Sequence, residues 1–203
     1  MKKLFQKSNT YLSDPDVQTM LRVQKGSKEA FEELMHKYYP RILNFIYRFV
    51  GHKNTAEDLT QEVFMRVYKN AWKYKAKSKF QTWIYTIAKN VALNELRRKN
   101  QLAFSLDEPV RGEKSQFQKE SEISKAARPD EEIMQKERAL LIRSAIQKLP
   151  ENQRIALILR RYDEFSYSQI AKTLKVSDKA VKSLLSRAKQ NLKKILVDRL
   201  DSD

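Results

Sequence analysis

Apolar residues along this chain recur at three- and four-residue spacing in one segment after another, the spacing of a single face of an α-helix. Val17, Leu21 and Val23 predict a first helix, capped by Asp14 or Asp16 and stopped at Gly26. Ser27 caps a second, with Ala30, Phe31, Leu34 and Tyr38 on its inner face. Beyond Pro40 the stripe resumes with Ile42, Phe45, Ile46 and Phe49 and closes at Gly51, so Pro40 predicts a kink or a first-turn proline. A third helix begins near Thr55 (Leu59, Val63, Val67), and Ile84, Ile87 and Val91 mark a fourth. After a stretch poor in apolar residues the period restarts with Leu141, Ile142, Ala145, Ile146 and Leu149. Pro150-Glu151 then opens a helix carrying Ile155, Ala156, Ile158 and Leu159. The fold class expected is all-α.

The sharpest local pattern runs from Tyr162 to Ile195. Ile170, Ala171 and Leu174 give a short helix, with Ser166 or Ser168 available as its cap. Lys175-Val176-Ser177 forms a turn, with Ser177 as the next N-cap and Val176 expected to plug the turn from inside. Val181, Leu185, Ala188 and Leu192 then fall at i, i+4, i+7 and i+11 of a second helix. This is the pattern of a helix-turn-helix, whose second helix lies in the major groove of DNA. Lys179, Lys182, Ser183, Ser186 and Arg187 lie off the apolar stripe, and Lys172 to Lys194 holds eight Lys/Arg against one acid. A solvated basic helix in an ordinary bundle would carry the same charges.

Charge extends that picture to the whole chain. Its 203 residues suffice for one large or two small domains, and a formal charge of +16 with pI near 9.9 favours a polyanionic partner. Three glycines cannot build a P-loop or a dinucleotide fingerprint, and the absence of cysteine removes disulfides, thiolate nucleophiles and cysteine metal sites. His36 and His52 sit in different segments without metal-ligand spacing. No cofactor and no catalytic role is expected. No apolar run reaches transmembrane length, and the positive start MKKLFQKSNTYLSD has no apolar stretch after it, so a cytoplasmic location is expected.

The charges are also segregated. Glu57, Asp58, Gln61 and Glu62 make the first turns of the third helix acidic. Three readings stand: carboxylates placed at a helix N-terminus, a catalytic pair, or a face for a basic partner helix. From Arg66 to Lys99 the sign flips, with ten Lys/Arg against one acid. There WKYKAKSKFQTWIYTIAKN interleaves Trp72, Tyr74, Phe80, Trp83 and Tyr85 with lysines. Lysines follow a phosphate backbone while rings stack on unpaired bases, although Trp83 and Tyr85 could equally be partly core. Residues 100–132 hold eight Asp/Glu, few apolar residues, two prolines and a glycine, the composition of a flexible acidic linker. The expected organisation is a basic leader (1–13), a helical domain (14–99), the linker (100–132) and a helix-turn-helix domain (133–200).

Taken together, LTQEVFMRVYKNAW, FQTWIYTIAKNVALNELRRK and LPENQRIALILRRYDEFSYSQIAKTLKVSDKAVKSLLSRAK closely resemble the extracytoplasmic-function (ECF) branch of bacterial RNA polymerase sigma factors. The resemblance covers roughly residues 15–100 and 130–197. It implies that the first domain is sigma region 2 and the second region 4, and that the chain binds core RNA polymerase and promoter DNA to initiate transcription. Asp58, Gln61 and Glu62 would dock on the clamp helices of the largest polymerase subunit. Lys75, Lys77, Lys79, Phe80, Trp83, Tyr85 and Asn90 would open and read the −10 element, with the Tyr74–Phe80 loop capturing a flipped base beside Asn90. Lys179, Lys182, Ser183, Ser186 and Arg187 would read the −35 element, with Arg160 near the backbone. The acidic linker would thread toward the RNA exit path, and an anti-sigma factor would hold the chain inactive. Many relatives carry Arg where this chain has Leu184, which removes one phosphate or base contact or replaces it with an apolar one.

Two other classes fit parts of the pattern. A stand-alone helix-turn-helix regulator would bind a palindrome as a dimer, but residues 15–100 show no ligand-pocket signature. A nuclease using Asp58 and Glu62 as metal ligands would lose activity on their replacement by Asn and Gln, whereas a sigma factor would only bind polymerase less tightly.

Overall fold

The computed structural model describes residues 11–105 and 129–200, which form eight α-helices with no strand among them. They are α1 (Pro15–Gln24), α2 (Lys28–Val50), α3 (Lys53–Lys69), α4 (Phe80–Ser105), α5 (Pro129–Gln147), α6 (Glu151–Arg161), α7 (Tyr167–Leu174) and α8 (Asp178–Leu200). The first ten residues of the basic leader and residues 106–128 of the acidic linker lie outside the described residues. The helices on either side reach further than composition suggested, α4 to Ser105 and α5 from Pro129.

Local chemistry sets most boundaries. The Asp14 carboxylate accepts the amides of Asp16 and Val17 at 3.1 and 3.3 Å and starts α1. Ser27 Oγ accepts the Ala30 amide at 3.1 Å and starts α2. That helix runs unbroken through Pro40, which is therefore not a first-turn residue. Pro40 lies on the exposed side, while Tyr38, Ile42, Phe45, Ile46 and Phe49 are each no more than 1% exposed. Burying five such side chains at about 1.5–3 kcal/mol each outweighs the ~3 kcal/mol of an interior proline. Gly51, at φ +87°, takes the left-handed conformation that ends α2. The third helix begins at Lys53, two residues before Thr55 and with no side-chain cap.

In the second half, Ser166 and Gln169 form a reciprocal capping box at the start of α7, and Ser177 Oγ accepts the Ala180 amide at 3.2 Å at the start of α8. Between them Lys175 sits at φ +58°, and this left-handed turn carries Val176 outward to 36% exposure. Val176 therefore does not plug the turn. Ile170, Ala171, Val181, Leu185 and Ala188 close the motif instead.

The two halves pack on each other, α6 and α5 against α2 and α7 against α4, and share one continuous apolar core. Tyr85 of α4 meets Phe45 at 5.2 Å and, across the seam, Phe165 at 4.8 Å between ring centres. Arg154 of α6, 9% exposed, donates to the carbonyls of Leu149 and Phe49 at 3.0 Å each and to that of Gln147. Its guanidinium thereby serves carbonyls at the C-terminal ends of both α5 and α2.

Candidate nucleic-acid interface

α8 carries the cleanest of the expected surfaces. Lys179, Lys182, Ser183, Ser186 and Arg187 are all exposed, at i, i+3, i+4, i+7 and i+8 of one helix face, opposite buried Val181, Leu185 and Ala188. Leu184 is half-buried against the core. Arg160 is exposed, donates to the Phe165 carbonyl at 3.0 Å and lies 5.3 Å from the Tyr167 ring, tying α6 to the start of the helix-turn-helix.

The lysine–aromatic stretch divides into exposed and buried parts. Lys75, Lys77 and Lys79 are exposed on the loop between the short 3-10 turn (Ala71–Lys73) and α4. Asn90 is exposed on α4, and Trp83 is half-buried against Tyr74 at 4.9 Å and Phe80 at 5.8 Å. Two expected base platforms are withheld: Phe80 and Tyr85 are both 0% exposed. Phe80 packs edge-on to Tyr38 at 5.1 Å and belongs to the core, while Tyr85 is closed over by Phe165.

Trp83 and Asn90 line an open cavity of about 290 Å³ with Arg66, Asn70, Lys73 and Ile87. Arg66 and Asn70 lie on and just past α3 and were not singled out in the sequence. Trp72, the chain neighbour of cavity-lining Lys73, is 68% exposed, with Lys73 Nζ 4.6 Å from its ring. Gln24 of α1 donates to the carbonyls of Trp72 and Tyr74 at 3.0 and 3.1 Å and holds this turn in place.

On α3, Asp58 and Gln61 are exposed, and Glu62 pairs with Arg66 of the same helix at 2.5 Å. Among the described residues no group of His, Asp and Glu is arranged to hold a metal ion. Gln61 instead borders an apolar groove of about 390 Å³ lined by Phe31, Met35, Tyr39, Phe64, Met65 and Tyr68. Met65 is 55% and Tyr68 53% exposed, a large apolar surface to leave in water. Gln61, Met65 and Tyr68 stand at i, i+4 and i+7, and that spacing was the available sequence signal for this face. No described helix is long and apolar enough to cross a membrane.

Comparison with known proteins finds two family matches in chain order: Sigma-70 region 2 over residues 34–101 and Sigma-70, region 4 over residues 139–192. The RNA polymerase sigma-H factor of Pseudomonas aeruginosa is 33% identical over 90% of this chain and 94% of its own length. The ECF RNA polymerase sigma factor SigW of Bacillus subtilis is 30% identical over 87% of this chain and 94% of its own. Among solved structures, CnrH in complex with the cytosolic domain of CnrY superposes with a TM-score of 0.66 at 18% identity, covering 94% of this chain and 99% of that one. The sigma factor RpoE of Bartonella quintana, in complex with the anti-sigma factor NepR, gives 0.63 at 23% identity over 82% of this chain and 96% of that one.

Proposed function

We propose a division of labour among three faces of this chain, which belongs to the extracytoplasmic-function branch of the RNA polymerase sigma factors. The chain directs core RNA polymerase to promoters and initiates transcription. Within that activity, residues 133–200 act as region 4, and the exposed stripe Lys179, Lys182, Ser183, Ser186 and Arg187 reads the −35 element as duplex. Residues 14–99 act as region 2, where Lys75, Lys77, Lys79, Trp83 and Asn90 engage the opened −10 element. Asp58, Gln61 and Glu62, with the groove beside them, dock on the polymerase. The reading makes the chain a non-enzymatic factor of the cytoplasm, held in check by an anti-sigma partner.

The observation that carries this reading is the exposure pattern of α8. Val181, Leu185 and Ala188 are buried in the core, and the stripe Lys179, Lys182, Ser183, Ser186 and Arg187 offers cations and hydroxyls to solvent. Phosphate neutralisation and base-edge hydrogen bonds require those groups. Run-off transcription with bacterial core polymerase on a genomic fragment library tests it directly. New discrete start sites preceded by a common pair of spaced elements support the reading. An absence of new starts, with dimeric binding of the protein alone to a palindrome, favours the stand-alone regulator. The isolated protein should open no DNA, because unstacking costs about as much per base as stacking on protein returns, ~1–3 kcal/mol. Permanganate-reactive thymines with the protein alone would contradict this.

Two substitutions separate the region 2 roles. Met65→Asp places a charge on the apolar groove and should weaken binding to core polymerase about 10-fold or more, measured by fluorescence anisotropy, with the melting temperature unchanged. Trp72→Ala removes an exposed ring next in the chain to Lys73, which lines the Trp83–Asn90 cavity. Loss of one stacked base at ~1–3 kcal/mol should lower promoter opening about 5- to 150-fold at unchanged polymerase affinity, and Trp72→Tyr should restore most of it. Equal opening by wild type and Trp72→Ala would remove Trp72 from the DNA path.

A further inference from the structure

A second polar cavity, of about 290 Å³, lies where the two halves of the chain meet. Its size is close to the lower end of small-molecule sites, roughly 300 Å³. α2 presents Arg41, Asn44 and Arg48 to it at i, i+3 and i+7, a single helix face. Gln81 of α4 also lines it, and the segment 162–164 between α6 and α7 supplies lining from the second half. The charged groups there are incompletely partnered. Arg41 makes no hydrogen bond or ion pair among the described residues, although its charge acts on both Tyr85 and Asp163. Arg48 lies 4.3 Å from the Tyr162 ring and pairs with no carboxylate. Asp163 accepts the Tyr85 hydroxyl on Oδ1 at 2.5 Å, but its Oδ2 is buried with no donor. Glu164, exposed where it lines the cavity, has no cationic partner.

Cations and carboxylates thus line one space without touching, and their balance selects the ligand. Two arginines and two carboxylates make the lining formally neutral. A simple anion is repelled by one pair as it is drawn to the other, and a simple cation likewise. A zwitterion is drawn at both ends. A carboxylate fits the planar fork of an arginine, and an ammonium brings the donors that unmet carboxylate oxygens need. The rest of the lining is amide and phenol rather than hydrocarbon, which suits a short polar side chain over an aliphatic one.

We propose that this cavity binds a free polar α-amino acid, with its carboxylate on Arg41 and Arg48, its ammonium on Asp163 and Glu164, and its side chain toward Asn44 and Gln81. None of these six residues belongs to the faces assigned to promoter or polymerase. An occupant bonded to both α2 and the segment 162–164 stabilises the folded chain by mass action.

Binding at this site is proton-linked. Facing Asp163 are Tyr85 from α4, Arg41 and Arg48 from α2, and Tyr162 and Glu164 on its own segment. Burial pushes its carboxyl up to about 6, against the opposing pull of the Tyr85 hydrogen bond and the two arginines. The ligand's ammonium needs the ionised carboxylate, so ligand and proton compete. Affinity should be full at pH 7.5 and fall about tenfold by pH 5, where the empty site is mostly protonated.

Isothermal titration calorimetry of the full chain with glycine, L-serine, L-asparagine and L-glutamine in turn tests the site, with inorganic phosphate as the anion-only probe. At least one amino acid should give a saturable isotherm and raise the melting temperature. Acetylating its amine or amidating its carboxylate removes one charge, and each change should weaken binding about 10-fold or more. Arg41→Gln and Glu164→Gln should each weaken it to a similar degree, with helix content and ligand-free melting temperature unchanged, since both side chains are exposed and unbonded. Lys193→Gln, exposed toward the end of α8, should bind as wild type does. Phosphate binding in place of every amino acid would overturn the zwitterion and mark a plain anion site. No binding by any probe would mean that the four charges are only solvated. Binding that survives Arg41→Gln combined with Glu164→Gln, or that is as tight at pH 5 as at pH 7.5, would also overturn the assignment. Neither polymerase nor DNA is present in these titrations, so their outcome is separate from that of the transcription experiments.

Discussion

Replacing Arg154 with methionine is expected to cost about 2–5 kcal/mol of unfolding free energy, the largest effect of any single substitution considered for this chain. The physical reason is the set of carbonyls the guanidinium serves. Phe49 lies in the last turn of α2, Gln147 ends α5, and Leu149 begins the turn into α6. The last carbonyls of a helix have no partner within it, and the negative end of the helix dipole favours a cation there. Arg154 answers both needs at two helix ends while its side chain lies 5.1 Å from the Phe49 ring. Methionine would fill much of the volume and leave the carbonyls buried without donors. Lysine should recover little, since one ammonium cannot reach three acceptors disposed around a planar fork. Urea titration followed by far-UV circular dichroism measures the loss. Arg160→Ala, an exposed residue with one bond to the Phe165 carbonyl, is the control and should cost no more than about 1.5 kcal/mol. Equal midpoints for Arg154→Met and wild type would show that the three hydrogen bonds contribute nothing net.

Arg154 also illustrates what a sequence exposes and what it hides. The features that depend on neighbours a few residues apart were legible: the Ser27 and Ser177 caps, the Asp14 and Ser166 caps to within one alternative each (Asp16, Ser168), the Gly51 stop, the apolar stripe of α8 and the basic stripe behind it. Each is fixed by helical spacing and by side-chain capping chemistry. What the sequence left open or out of sight turns on contacts that sequence distance conceals. Tyr85 and Asp163 are 78 residues apart, and Arg154 lies 105 from Phe49. No periodicity points from one to the other. Phe80 reads from the sequence as a base platform, and the packing of its ring on Tyr38 of α2 places it in the core instead. Val176 was turned outward by the left-handed backbone of Lys175, a conformation not foreseeable at a lysine. The apolar groove was half visible. Its α3 side follows a regular spacing, but Phe31, Met35 and Tyr39 join it only because α2 and α3 pack together, bringing Phe31 within 5.0 Å of Tyr68.

The combined substitution Lys182→Ala with Arg187→Ala is expected to lower promoter-specific transcription roughly 30-fold or more, while binding to core polymerase stays within twofold of wild type. Both side chains lie on the exposed stripe of α8 and neither contributes to the core, so the fold should melt unchanged. A charged side chain on a base edge is worth about 1–3 kcal/mol of discrimination, and contacts separated along a helix add approximately. If either cation meets phosphate instead, the loss is uniform across promoter sequences and the salt dependence of binding becomes shallower by about 0.9 per contact removed. Measuring start-site use and salt dependence together therefore assigns each residue to bases or backbone. Loss confined to some promoters marks a base contact, and loss across all of them with a shallower salt slope marks phosphate. The neighbouring Leu184 sharpens the test. A half-buried apolar residue there leaves Lys182, Ser183, Ser186 and Arg187 to supply the polar readout of this stretch, so the double variant has little to fall back on. Undiminished transcription from the same start sites would mean that α8 does not read the promoter through this face.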